Sequence, residues 1–180
     1  MNKDKSMLPA LLLIAGGLFV VYLVTGGIKQ IAGGVKAVGT FLSDRVKKLF
    51  LLFGSSPAEV YPNLTTISFL GHNVLVNKKV AQNFINVDSE VKKSGIKYNF
   101  DVVQTYNWRV VTGYEGTNEI SSHGFGIATD INPDRNPYRK DNKLITDIPS
   151  GIVAIFKKNN FAWGGDYKNI KDPMHFEVVV

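Results

Sequence analysis

The 180-residue chain contains no cysteine, which excludes disulfide bonds and thiolate metal sites. Any protein-bound metal ion therefore needs His, Asp or Glu ligands, and the chain has three histidines, His72, His123 and His175. Acidic residues are outnumbered, with 15 Asp and Glu against 21 Lys and Arg, which gives a formal net charge of +6. This excess favours an anionic partner, but nucleic acid, anionic lipid and cell-wall material all fit it.

Charge is also missing from residues 6–28, which are apolar over most of their length. A helix of about 20 apolar residues spans the hydrocarbon core of a bilayer, and this stretch lacks the polar stripe that a buried core helix usually shows. The sequence therefore predicts a single transmembrane helix, and residues 1–28 are assigned to a membrane anchor. A cleaved signal peptide is the alternative, because Lys3 and Lys5 precede the apolar run, although no clear cleavage site follows it.

Residues 28–53 place apolar side chains at steps of three and four, with lysines and Arg45 between them. This pattern predicts a basic amphipathic helix that lies on a membrane or packs against a partner helix, and a stalk that continues the anchor fits it as well. The Gly-Ser-Ser-Pro sequence at 54–57 breaks the pattern and indicates a linker. The expected organisation is thus an anchor at 1–28, a basic segment with its linker at 29–57, and a domain at 58–180.

Strand and helix signals alternate through residues 58–180, which are enough for one compact core. A hairpin is predicted from residues 65–70 and 73–76, around Gly71 and His72. Helices are predicted at 78–93, ending before Gly95, and near 150–158. Further strands are predicted at 101–106, 126–131 and 174–179. This mixture indicates an α+β fold with a small, mainly antiparallel sheet and flanking helices.

The segment Ser121-Ser-His-Gly-Phe-Gly-Ile-Ala-Thr-Asp130 places polar side chains among small residues. If the chain is extended from Gly126 onward, Gly126, Ala128 and Asp130 share one face of the strand. Two very small residues beside a carboxylate leave room for an ion and a ligand above the sheet. His123 precedes these residues, at a point where a turn can fold its imidazole over the same face.

A second polar cluster, Asp172-Pro-Met-His175-Phe-Glu177, follows some forty residues later. Side chains alternate between the two faces of an extended chain, so His175 and Glu177 point to one side. The residues directly before, between and after them point to the other side. Together, His123, Asp130 and His175 supply three protein ligands, the arrangement of a catalytic zinc whose fourth position is open for water. Hydrolysis then needs a carboxylate that accepts a proton from that water. Asp172 is the first candidate for this base, and Glu177 is the alternative; Glu177 otherwise orients a metal ligand.

Each cluster also has a purely structural interpretation, because an isolated histidine among apolar residues is usually structural and an aspartate in a Gly-rich stretch usually forms a turn. Two of the three histidines, however, fall in separate segments that each carry a carboxylate, which favours a shared metal site. His72 has no carboxylate near it in its predicted turn, so we interpret it as structural or exposed.

The two clusters resemble the motifs of the zinc D-Ala-D-Ala carboxypeptidase and L-Ala-D-Glu endopeptidase family, which includes vancomycin-resistance dipeptidases and phage endolysins. The family pattern S-x-H-x-x-G-x-A-x-D is matched at each fixed position from Ser121 to Asp130, and its second pattern, an acidic residue ahead of a histidine, by Asp172 and His175. The resemblance covers residues 65–180. It implies that His123, Asp130 and His175 bind zinc and that Asp172 is the catalytic base.

The resemblance implies further roles around the metal. Arg109 matches the family arginine that stabilises the tetrahedral intermediate, and a guanidinium suits an oxyanion or a substrate carboxylate. Ser121 is interpreted as a substrate-binding group or one that orients a ligand, and Glu177 is grouped with it on the substrate side.

The residues predict a metallopeptidase anchored to a membrane by one span, and the resemblance implies that it uses zinc, faces the cell wall and cleaves peptidoglycan stem peptides. A non-catalytic protein that binds peptidoglycan or builds an envelope or virion membrane is the alternative. A third interpretation is that the basic segment 29–48 binds nucleic acid or permeabilises membranes. It predicts that this segment alone binds DNA or vesicles, although no nucleic acid partner is expected. Counting basic residues on each side of the apolar run places the domain in the cytoplasm, whereas a wall hydrolase needs the opposite orientation. A viral membrane is compatible with both.

Overall fold

The computed structural model describes residues 10–14, 17–21, 42–115, 117 and 119–180. The chain divides into two compact units, residues 1–43 and residues 44–180. In the first unit, Ala10–Ile14 (β1) and Gly17–Val21 (β2) pair as an antiparallel hairpin.

The helix predicted for the apolar N-terminal stretch is therefore not found over β1 and β2, which are extended. An uninterrupted apolar run fits a buried strand as well as a helix when only periodicity is considered, and glycine at position 17 disfavours a helix interior. Among the described residues, no helix has the length and apolar character needed to cross a membrane. The rest of the predicted anchor, and residues 28–41 of the basic segment, lie outside the described residues.

The second unit begins with a helix, Asp44–Phe53 (α1). Val46, Leu49 and Phe53, three to four residues apart, are buried, and Leu49 and Phe53 belong to the main hydrophobic core of this unit. The amphipathic pattern over these residues thus forms a helix, and its apolar face packs against the domain. Packing of the domain consequently starts fourteen residues before the boundary expected from the sequence at residue 58, because a periodic pattern does not reveal which surface covers it.

The predicted hairpin is confirmed as Leu64–Phe69 (β3) and His72–Asn77 (β4). Leu70 and Gly71 connect the strands, both with positive φ, 51° and 86°. Two left-handed residues in a two-residue loop are the hallmark of a turn whose twist matches the flanking strands. The Leu70 backbone N–H donates a hydrogen bond of 2.8 Å to Asp88 Oδ1, which ties this turn to the next helix.

The described residues of the second unit form three further α-helices, and two of them were predicted. The predicted helix at 78–93 is Ala81–Ser94 (α3), and Gly95 ends it in the left-handed conformation typical of a helix C-terminus. The helix near 150–158 is Ser150–Lys158 (α4). The short Pro57–Val60 (α2) was not predicted. Single turns of 3-10 helix occur at Tyr61–Asn63, Ser122–Phe125 and Gly164–Asp166.

A four-stranded antiparallel sheet with the order β5-β6-β8-β7 carries the polar clusters. Its strands are Val103–Gln104 (β5), Ala128–Ile131 (β6), Phe161–Trp163 (β7) and His175–Val178 (β8). The helices and antiparallel sheets confirm the α+β class. The strand expected at 101–106 is two residues long, and β7, a three-residue strand directly after α4, was not predicted.

An aromatic core joins the hairpin β3–β4, the helices α3 and α4, and the four-stranded sheet. Its rings pack with centroids 4.1 to 6.1 Å apart. Phe176 on β8 is fully buried and stacks on Phe156 of α4 at 4.1 Å. Since side chains alternate along a strand, His175 and Glu177 point to the opposite face from this core. The aromatic core consists of Phe69, Phe84, Phe156, Phe161 and Phe176.

Candidate metal centre

The three residues predicted as metal ligands converge at one point of the sheet. Asp130 on β6 lies directly opposite His175 on β8, and His123 is on the 3-10 turn that precedes β6. His123 Nε2 lies 3.1 Å from Asp130 Oδ1 and 3.2 Å from His175 Nδ1, and the last two atoms are 3.0 Å apart. All three side chains are buried.

Local backbone features bring His123 to this point. The Ser121 hydroxyl accepts a hydrogen bond of 3.4 Å from the His123 N–H and caps the turn. Gly126 ends it with a φ of 67°, a conformation that L side chains rarely adopt. A Cβ at Gly126 would also lie 2.7 Å from Leu64 Cδ2 and 2.9 Å from the Asn77 backbone nitrogen. Only glycine lets the chain pass this close to the hairpin and then enter β6.

Each imidazole has one ring nitrogen that faces the centre and one that faces away from it. The partner of the nitrogen that faces away determines which of the two carries a proton and which can bind a metal ion. His123 Nδ1 lies 2.6 Å from the carbonyl oxygen of Thr105, which only accepts hydrogen bonds. Nδ1 therefore carries the proton, and the lone pair of Nε2 points at the cluster. His175 Nε2 lies 3.8 Å from the Glu177 carboxylate, whose negative charge favours a proton on Nε2, while Nδ1 faces the centre at 3.0 Å from Asp130 Oδ1.

Close contacts between the carboxylate and the imidazoles shift the pKa values of Asp130 and His175 in opposite directions. Burial opposes ionisation of Asp130, but hydrogen bonds with His123 and His175 outweigh it and hold its pKa well below the usual range. Burial likewise opposes protonation of His175, yet its contacts with Asp130 and Glu177 raise its pKa to about 10. These contacts favour a proton on His175 when no metal ion is bound, and a metal ion at the centre would have to displace the proton from Nδ1.

The donor set fits a tetrahedral divalent ion. The ligand atoms of His123, Asp130 and His175 all lie within 4.8 Å of one another. Metal bonds of about 2.0–2.1 Å in tetrahedral geometry imply about 3.3 Å between ligand atoms, close to the 3.0–3.2 Å found between these three atoms. Two imidazoles and one carboxylate are ligands that zinc commonly takes when a fourth position is left for water. These residues could therefore hold a metal ion.

Asp172 lies beside this centre with one carboxylate oxygen unsatisfied. Within the part of the chain that the structure describes, its buried Oδ1 has no hydrogen-bond partner. Burial raises the pKa of Asp172 to about 6, and the charges of His175, Asp130 and Arg109 also act on it. An unpaired buried carboxylate next to a metal site suits a group that exchanges protons during a reaction.

Glu177 lies behind His175, on the side away from the other two ligands. Its Oε2 pairs with Arg45 Nη2 at 3.2 Å and accepts a short hydrogen bond from the Ser122 hydroxyl. Burial opposes its ionisation, but His175, Ser122 and Arg45 together lower the pKa of Glu177 to about 2. This position favours the orienting role of Glu177 over the base role that the sequence left open.

A cavity of about 360 Å³ opens beside the centre. Arg109 belongs to its lining, and the Arg109 guanidinium donates long hydrogen bonds, 3.4 Å each, to the Val110 carbonyl and the Thr112 hydroxyl. The guanidinium is therefore placed to meet an anionic group in the cavity. Ser121 is buried and occupied as the cap of the 3-10 turn. The lining consists of Gln104, Thr105, Tyr106, Asn107, Arg109, His123 and Asp130.

Four contributors to the site were missed by sequence reasoning. Thr105 acts through its backbone carbonyl, which every residue type carries, so the sequence offers no signal for it. Ser122 lies inside the motif but outside its fixed positions. Arg45 reaches Glu177 across 132 residues. Burial raises the pKa of the Tyr167 hydroxyl, and the charges of Glu177 and Asp172 raise it further, so this hydroxyl also belongs to the surroundings of the site.

Comparison with known families agrees with this geometry. A family model described as D-alanyl-D-alanine carboxypeptidase matches residues 115–178. The matched range contains His123, Asp130 and His175, as well as Asp172 and Glu177, and it spans the 3-10 turn and the two strands that bring the ligand atoms together. Over residues 115–178, about a third of its length, the chain is therefore similar to the D-alanyl-D-alanine carboxypeptidase family.

Proposed function

We propose that this chain is a zinc-dependent peptidase that hydrolyses peptide bonds in peptidoglycan. The observation that carries the proposal is the triangle of His123 Nε2, Asp130 Oδ1 and His175 Nδ1, with sides of 3.0 to 3.2 Å. The family match supports the substrate class, because D-alanyl-D-alanine is a peptide terminus of the cell wall.

The chain's own residues divide the work around the ion. When bound, zinc acts as a Lewis acid and lowers the pKa of water to about 7. Asp172, with its unpaired buried oxygen, accepts the proton of the attacking water and passes it to the leaving amine. Arg109 lines the cavity and offers its guanidinium to the oxyanion or to a substrate carboxylate.

We further propose that the cleaved bond is either the D-Ala-D-Ala bond or the L-Ala-D-Glu bond of the stem peptide. Both substrates present a carboxylate near the scissile bond, which suits Arg109 beside the cavity. Products separate the two activities, because a carboxypeptidase releases free D-alanine and an endopeptidase creates a new amino terminus on a D-Glu-containing peptide.

The test uses the 180-residue chain loaded with zinc and incubated with purified peptidoglycan. We expect about one zinc per chain and new amino termini or free D-alanine, and we expect His123→Ala to lose both the metal and the activity. His72→Gln is the matched control, since His72 contacts the Phe100 carbonyl away from the centre, at 2.6 Å. Zinc and peptidoglycan binding without any cleavage would contradict the proposal and favour the non-catalytic alternative.

The location of the chain forms a separate part of the proposal. Peptidoglycan lies outside the cytoplasmic membrane, so a chain that cleaves it acts on the wall side of an envelope or from a virion. The mostly apolar composition of residues 6–28 supports attachment to a membrane without requiring a spanning helix, because apolar side chains are favoured in the hydrocarbon core. Protease treatment of spheroplasts tests this, because digestion of the C-terminal domain from outside is expected and complete protection would refute it.

A further inference from the structure

Arg45 on α1 contacts both segments that carry the histidine ligands. Its Nη1 donates a hydrogen bond of 3.2 Å to the Ile120 carbonyl. Its Nη2 donates to the Ser122 hydroxyl and pairs with Glu177 Oε2 at 3.2 Å. Ser122 directly precedes His123, and Glu177 follows His175 by two residues, so one guanidinium connects the two sides of the metal centre.

A continuous chain of polar contacts leads from this helix to the ligand atoms. The Glu177 carboxylate that Arg45 holds also faces His175 Nε2 at 3.8 Å. The opposite nitrogen of the same ring, Nδ1, faces Asp130 and the centre. A carboxylate behind a metal-binding imidazole fixes the tautomer and the orientation of the ring and makes it a better ligand.

The helix that carries Arg45 is itself fixed. Val46 is fully buried and Leu49 nearly so, so that α1 cannot rotate without exposing them. The ion pair, in contrast, is only partly buried, with side-chain exposures of 42% for Arg45 and 22% for Glu177. A pair this exposed contributes little to folding stability. Its contacts are better explained by what they hold in place.

We propose that Arg45 is a positioning residue of the metal centre, which holds the Glu177 carboxylate against His175 Nε2 and thereby makes α1 part of the catalytic unit. The inference rests on the proposed zinc site and deepens it. It replaces the membrane-surface role that the basic pattern suggested for this part of the segment, since Arg45 is directed toward the domain.

A double-mutant cycle on the full chain tests the proposal. Zinc affinity is measured by competition with a chelator for Arg45→Ala, Glu177→Gln and the double variant. We expect each single variant to bind zinc about 10-fold or more weakly, the loss typical for partners that orient a metal ligand. Because Arg45 acts through Glu177, the double variant should bind no more weakly than Glu177→Gln alone.

Lys47→Ala is the matched control, since it removes a basic residue from the same helix that pairs with Asp44 at 2.9 Å and not with the centre. Its zinc affinity should equal that of the wild type. The absorption bands of the cobalt-substituted chain provide a second measurement, because they report the geometry of the ligands. They should change in Arg45→Ala and in Glu177→Gln and stay unchanged in Lys47→Ala. If Arg45→Ala does not fold, Arg45→Gln carries the same test with the side-chain stem preserved.

Independent losses that multiply in the double variant would overturn the inference, and so would an Arg45→Ala chain with wild-type zinc affinity and cobalt spectrum. These results are separable from failure of the proposed function. A wild-type chain that binds zinc but cleaves no peptidoglycan refutes the activity, while the cycle on zinc affinity still decides the role of Arg45.

Discussion

Replacing Gly164 by alanine should impair catalysis more than zinc binding. A Cβ at this position would lie 2.3 Å from the Asp172 carbonyl oxygen and 2.9 Å from Asp172 Cβ. Ordinary van der Waals contact begins at 3.4 Å, so Asp172 has to move by about 1 Å to relieve the clash. A catalytic group misplaced by about 1 Å can lower the rate about 100-fold. The ligand atoms lie on other side chains, so zinc affinity should change less than kcat.

The measurement compares kcat, zinc content and thermal unfolding of Gly164→Ala with those of Gly151→Ala. The added methyl group of the control meets the Ile96 side chain, with Cδ1 at 2.6 Å and Cγ1 at 3.8 Å, and Cδ1 is the end of a flexible side chain. We expect Gly164→Ala to be destabilised by about 1–3 kcal/mol through overpacking, and the control to keep its activity. A folded Gly164→Ala chain with wild-type kcat would refute the argument that this close approach positions Asp172.

Further predictions concern the base, the metal and the core. Asp172→Asn should keep zinc and lose about 10²–10⁴-fold in kcat, the usual contribution of a general base. Steady-state kinetics measures this loss, and a wild-type kcat in this variant would assign the base role to Glu177. Burial disfavours the charged imidazole of His175, but Asp130 and Glu177 raise its pKa to about 10. Zinc binding near pH 8 should therefore release about one proton, and affinity should rise with pH. Calorimetry in buffers of different ionisation enthalpy measures this release, and a buffer-independent enthalpy would contradict it. Phe176→Ala should lower the unfolding free energy of the metal-free chain by about 3–5 kcal/mol in a urea titration, because the Phe176 ring is fully buried and stacks on Phe156. A loss below about 1 kcal/mol would show that this ring contributes little to core stability.

Features set by neighbouring residues were predictable from the sequence. Alternating side chains predict the hairpin around Gly71 and His72, one residue beyond the turn that Leu70 and Gly71 form, and the end of α3 follows from Gly95, which takes the left-handed conformation. The convergence of His123, Asp130 and His175 was also predictable, because glycines, alternation and an extended C-terminal cluster limit where these side chains can point. In each case a short stretch of chain carries the whole signal.

Features set by contacts between distant residues were not predictable. The sequence shows that α1 is amphipathic, but its apolar face fits a membrane, a partner helix or its own domain equally well. The link from Arg45 to Glu177 joins residues 132 positions apart. β7 has three residues, too few for a periodic pattern, and it forms because β8 offers a pairing edge. The long apolar stretch before α1 has no periodicity that separates helix from strand, which explains the wrong helix prediction over β1 and β2.

The placement of Phe176 between His175 and Glu177 protects the site against errors of strand register. A slip of β8 by one residue against β6 and β7 would turn the imidazole and the carboxylate toward Phe156 and bring a phenyl ring to the cavity side. Burying a carboxylate among aromatic rings without partners is strongly unfavourable, so the misaligned pairing is disfavoured on both faces at once. Selection for tight core packing consequently also preserves the alignment that chemistry requires, and variation in substrate preference is expected on the loops around the cavity and not along β8.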